Sequence, residues 1–92
     1  MSEKTRYRIY VKGYVQGVGF RWSTARQARA LGITGFVKNM PDGSVFIEAE
    51  GSEESITDFI DWCRKGPGPS FVENVEIEQF TPLNYSDFRI EH

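Results

Sequence analysis

Residues 34–50 read Thr-Gly-Phe-Val-Lys-Asn-Met-Pro-Asp-Gly-Ser-Val-Phe-Ile-Glu-Ala-Glu. Two β-rich runs, Thr34 to Met40 and Ser44 to Glu50, flank Pro41-Asp42-Gly43. Proline fixes φ and glycine accepts positive φ, so the stretch predicts a β-hairpin. Upstream, residues 22–31 predict a helix, with Thr24, Ala25, Ala28 and Leu31 as its apolar stripe and Gly32 just past its end. Before that helix, Tyr7, Ile9 and Val11 alternate with Arg6, Arg8, Tyr10 and Lys12, the pattern of a strand with one apolar face. Downstream, Ser52 is a good N-cap, and Glu53 and Glu54 suit the first turn of a helix. Ile56, Phe59, Ile60 and Cys63 form its stripe, and Gly66-Pro67 stops it. Phe71 to Glu78 follows as a strand with Val75 and Ile77 inward, and residues 87–91, with Phe88 and Ile90, form a short last strand.

The predicted order is β-α-β-β-α-β with an extra C-terminal strand. This is an α+β chain of the ferredoxin-like split-βαβ plan, with two helices on one face of an antiparallel sheet. The 92 residues suit one domain, with residues 1–5 expected as a flexible tail. Nothing repeats, and Gly-Pro-Gly-Pro at 66–69 reads as a loop, not a linker. No apolar run exceeds three residues and the N-terminus lacks a signal-peptide core, so the expected location is cytoplasmic. The small polar surface suggests a monomer.

Net charge is −2 but unevenly spread. Residues 1–30 carry +6 and the remainder −8. The basic half would draw in anionic ligands, although Lys12, Arg26 and Arg29 read as solvated surface. A nucleic-acid module usually has a strongly basic balance, which this chain lacks. Cys63 is the only cysteine and lies within an apolar stripe, so it reads as a buried reduced thiol. A cysteine phosphatase would need an arginine six positions later, where this chain has Pro69.

The chemistry concentrates in Tyr14-Val-Gln-Gly-Val-Gly-Phe-Arg21. A strand runs into a loop with Gly17 and Gly19, and Arg21 stands where a helix begins. Loop amides, a helix N-terminus and a guanidinium then converge on one point, which favours a phosphate-like anion. The loop Val15, Gln16, Gly17, Val18, Gly19 and Phe20 with Arg21 is thus the candidate phosphate cradle. It lacks the Walker pattern, so nucleotide binding is not implied. Asn39 ends the second strand, where a β-α-β crossover can bring it near the first. Locally it reads as a turn residue; at a site, its neutral amide could hold a water beside a phosphate. Glu48 and Glu50 alternate on one strand face and are expected to be solvated. His92, the only histidine, ends the chain, where fraying is expected rather than catalysis. No cluster has metal-ligand spacing. A site with no covalent nucleophile, metal or general acid suffices only for a leaving group that departs easily, and a carboxylate, with its acid pKa near 4, does so. The bare toolkit therefore points to an acyl phosphate.

At these residues the chain resembles the acylphosphatase family. The matching segments are Val-Gln-Gly-Val-Gly-Phe-Arg at 15–21, Leu-Gly-Ile-Thr-Gly-Phe-Val-Lys-Asn at 31–39 and Pro-Asp-Gly-Ser-Val at 41–45, with Glu50-Gly51 and Lys65-Gly66-Pro67 as further echoes. The resemblance implies hydrolysis of acyl phosphates to carboxylate and inorganic phosphate, with no cofactor. It assigns the phosphate-binding arginine to Arg21, the water-orienting asparagine to Asn39 and the phosphate loop to residues 15–20. Product phosphate, sharing the cradle, should compete with substrate. Tyr14 departs from the basic residue common before the loop, and Phe46 and Phe71 stand where smaller or polar residues are usual. Two rivals remain: a non-catalytic domain such as the acylphosphatase-like segment of hydrogenase-maturation proteins, which the length disfavours, and an RNA-recognition module, which shares the element order. The acidic C-terminal half and the lack of spaced strand aromatics count against RNA.

Overall fold

The computed structural model describes residues 3–92. β1 (Lys4–Tyr14), α1 (Phe20–Ala30), β2 (Thr34–Asn39), β3 (Val45–Ser52), α2 (Glu53–Lys65), β4 (Phe71–Phe80) and β5 (Phe88–Glu91) follow in that order. One five-stranded sheet has the order β4-β1-β3-β2-β5. β3 pairs antiparallel with both β1 and β2, and β4 pairs antiparallel with β1. β5 runs parallel to β2, so the sheet is mixed rather than wholly antiparallel. β1 begins at Lys4, which places Lys4 and Thr5 in the sheet and not in a tail; residues 1 and 2 lie outside the described residues.

The hairpin forms as its sequence dictates. Met40 donates its N–H to Ser44 O at 2.9 Å, and Gly43 N–H reaches Met40 O at 3.1 Å with Gly43 at φ 92°. Asp42 Oδ1 accepts from the Ser44 N–H and hydroxyl, which locks the turn. α1 ends in a Schellman arrangement: Gly32, at φ 72°, donates to Arg29 O and Ile33 donates to Ala28 O. α2 starts on Ser52, whose hydroxyl accepts from Ser55 N–H at 3.2 Å.

The strand periodicity sorts the faces. Ile9, Val11, Val37, Val45, Ile47 and Ala49 are buried beneath Phe20, Ala25 and Ala28 of α1 and Ile56, Phe59, Ile60 and Cys63 of α2. Cys63 is fully buried, and burial pushes its thiol above the ordinary range, so it is a packing residue. Ile77, expected inward, is 43% exposed, because β4 is an edge strand that α2 only partly covers.

The opposite face departs from the alternating-strand expectation. Glu48 and Glu50 are buried, not solvated, because the 81–87 segment folds back over them. Glu50 accepts from the N–H groups of Leu83, Asn84 and Tyr85. Glu48 takes Arg6 Nη1 at 2.8 Å, Arg8 Nε at 3.0 Å and the Tyr85 hydroxyl at 2.8 Å. Burial raises the Glu48 carboxyl, but the Tyr85 hydroxyl and the two guanidiniums more than offset it, leaving it below its ordinary value. Burial and the same carboxylate push the Tyr85 phenol up to about 12. A carboxylate held low in the fold adds stability that is present above the ordinary glutamate range and lost as pH falls through the lowered native value. Glu48→Gln, which leaves the buried Arg6 without its counter-charge, should cost about 3 kcal/mol in urea titrations at pH 7. The cost should shrink at pH 3; an equal loss at both values would refute the ion-pair account.

Candidate active site

β1 and β2 are both antiparallel to β3, so they are parallel to each other and end at the same edge of the sheet. Val11 of β1 and Asn39 of β2 both pair with Val45. β5, parallel to β2, delivers Ile90, Glu91 and His92 to that edge. The N-terminus of α1 opens onto it as well. A hollow of about 270 Å³ lies where they meet, lined by Val15, Gly17, Gly19, Phe20, Arg21, Trp22, Asn39, Ile90 and His92.

β1 can turn into the loop because its register with β4 slips at Lys12/Gly13. A Cβ on Gly13, at φ 134°, would strike the carbonyl of Phe71. Gly17 and Gly19 have φ 76° and 77° with open space where a Cβ would stand, so backbone conformation alone requires glycine there. Alternating left-handed residues turn successive N–H groups to one side. Gly19 also caps α1 with no side-chain bond, and the first turn carries no acidic residue. The unsatisfied N–H groups and positive dipole end of the helix therefore face the hollow without a competing carboxylate.

The helix starts at Phe20, two residues before its predicted start, which puts Arg21 inside the first turn rather than ahead of it. Arg21 Nη1 donates to Glu91 O at 2.9 Å and lies 3.3 Å from His92 Nδ1. Among the described residues, no protein acceptor takes its remaining N–H groups. Asn39 faces the same hollow, and its Oδ1 is buried with no protein donor reaching it. Phe20 is 1% exposed and packs at a tilt against Trp62, so it contributes main chain to the hollow and side chain to the core.

Gln16 and Val18 do not line the hollow. Val18 packs against the core. Gln16 Nε2 donates to Met40 O and Ser44 O, each at 2.8 Å, and so ties the loop to the hairpin beside Asn39. Sequence reasoning missed this tether, and it missed Trp22, Ile90 and His92 as lining residues. No local pattern marks them, because the contacts join segments up to 71 positions apart. Arg29, read as solvated, donates to Phe88 O at 2.9 Å and pins β5 to α1.

The far sheet face corrects a further expectation. Tyr10, Phe46 and Phe36 sit side by side on β1, β3 and β2, with centroids 4.9 and 5.8 Å apart. Spaced strand aromatics do exist, and Lys38 Nζ lies over two of the rings. The acidic balance of residues 31–92 is what still disfavours RNA.

Among the described residues, no three His, Cys, Asp or Glu side chains form a metal-sized cluster, and no helix is long and apolar enough to cross a membrane. The architecture and the position of the hollow define an α+β protein of ferredoxin-like topology with a cavity at the ends of its central strands. A sequence profile of the acylphosphatase family matches residues 7–90, and the chain belongs to that family. An acylphosphatase of Thermotoga petrophila is 51% identical over 85 residues, covering 92% of this chain and 94% of its own. Solved acylphosphatases from Coxiella burnetii and Bacillus subtilis superpose with TM-scores of 0.92 and 0.93, at 40% and 35% identity. Each superposition covers 96% of this chain, and 93% and 99% of the respective structure.

Gln16→Ala should cost about 1 kcal/mol of stability, since both carbonyls keep other donors. Its sharper mark should be lower NMR order parameters for the amides of residues 15–20; unchanged values there would show that the tether does not hold the loop.

Proposed function

We propose that this acylphosphatase-family hydrolase splits the carboxyl–phosphate anhydride of acyl phosphates with a water held by Asn39, on a phosphoryl group held by Arg21 and the loop amides. The observation that carries the reading is the buried Asn39 Oδ1, an acceptor without a protein donor, at the same hollow as Arg21 and the α1 N-terminus. Buried polar atoms without partners are rare, and a bound water is the ordinary remedy. A water donating one proton to Asn39 Oδ1 keeps its lone pairs for phosphorus. The neutral amide does this without repelling the phosphoryl oxygens.

The binding half of the task falls to fixed dipoles and one fork. The amides of Val15, Gly17, Gly19 and Phe20 and the free N–H groups of Arg21 match the three phosphoryl oxygens. They are preorganised by Gly17, Gly19 and the Gln16 tether, so little rearrangement accompanies the reaction. Phosphoryl transfer asks mainly for positioning and charge stabilisation. The carboxylate leaves without protonation, which is consistent with a hollow lined by no carboxylic acid. The phosphoryl group itself can take the water's proton. The acyl part meets Trp22, 61% exposed at the rim.

With benzoyl phosphate, followed by ultraviolet absorbance, Asn39→Ala should lower kcat by roughly 10²-fold while phosphate inhibition stays intact. Arg21→Lys should lose both rate and phosphate binding, because a point charge cannot replace the fork. A fully active Asn39→Ala enzyme would remove the water-positioning role. Inorganic phosphate should compete with substrate in the unaltered enzyme, and uncompetitive inhibition would contradict a shared cradle.

A further inference from the structure

His92 occupies the hollow rather than a frayed end, and its contact has a definite chemistry. Arg21 Nη1 and His92 Nδ1 are 3.3 Å apart. A guanidinium has no acceptor, so Nδ1 must accept, which requires a neutral imidazole carrying its proton on Nε2. Taking up a second proton turns that acceptor into a donor. Two cations would then face each other across the hollow, an arrangement that an anion between them relieves.

We propose that His92 is a second, titratable group of the phosphate cradle, steadying Arg21 when neutral and donating to the bound phosphoryl dianion when protonated. The inference rests on residues 15–21 being the anion site. β5 alternation supports the direction: Ile90 packs into the core, and His92, two residues on, shares its face. Glu91 points to the other face, where it pairs in register with Lys38, whose ammonium lies over Phe36 and Phe46. The loop 15–19 brings no charge, and α1 brings Arg21 alone into contact. No side-chain carboxylate lines the hollow, so an anion is the natural partner of a protonated His92.

Proton and anion binding must then strengthen each other by one and the same factor. Sulfate is the probe, since it stays a dianion between about pH 5 and 8, where histidine titrates and phosphate does too. At constant ionic strength, sulfate should bind about tenfold tighter at the acid end of that window than at the alkaline end, within the range of site-to-site coupling. His92→Gln, whose amide oxygen can accept from Arg21 but cannot titrate, should bind sulfate with little pH dependence. In the unaltered protein, the NMR signals of the single histidine should show their titration midpoint moving upward when sulfate is added. If sulfate shifts the amides of residues 15–20 but leaves that midpoint in place, or if His92→Gln keeps the full pH dependence, the role of His92 is overturned while the cradle stands. If sulfate leaves those amides unmoved, both readings fall together.

Discussion

The double pairing of Val45 underlies the whole site. Because β3 lies between β1 and β2 and opposes both, Val11 and Asn39 stand at one level on either side of it. Neighbouring strands are about 4.8 Å apart, so these two positions are held roughly two strand spacings apart by backbone hydrogen bonds alone. The loop that leaves β1 closes that gap, and the Gln16 amide fastens it to the hairpin. The sheet register fixes the backbone of Asn39, and the start of α1, just past the loop, sets that of Arg21.

The same register explains why the reverse face is so heavily tied. β3 is the central strand, and its second face would expose Phe46, Glu48 and Glu50 to solvent without a cover. The 81–87 segment supplies one, held by main-chain N–H groups on Glu50 and the Tyr85 hydroxyl on Glu48. That cover also sets where β5 begins, with Gly35 donating to Asp87 O just before the parallel pairing. The polar network on one face thus helps to place β5, and with it Glu91 and His92, at the strand ends where the hollow lies.

The proposed cradle is assembled from groups that cost little to hold ready. Left-handed glycines, an uncapped helix start and a guanidinium anchored on one nitrogen all keep donors free toward the hollow. Catalytic power of this kind comes from preorganisation, which fits a substrate whose leaving group needs no help.

Local chemistry alone wrote most of the element order. Pro41-Asp42-Gly43, Ser52, Gly32 and the strand alternation each carry a conformational preference that acts within a few residues, so they were readable without coordinates. The glycines and Arg21 were legible for the same reason, because a loop that aims its amides needs positive φ at fixed positions. What tertiary structure alone decided is whatever joins distant segments: the burial of Glu48 and Glu50, the parallel β5, the Gln16 tether and His92 beside Arg21. Alternation cannot say whether a strand's second face meets water or a returning chain, and no spacing reveals that residue 92 will lie against residue 21. Those outcomes depend on how the whole chain closes around its core, which is a property of packing and not of any short stretch.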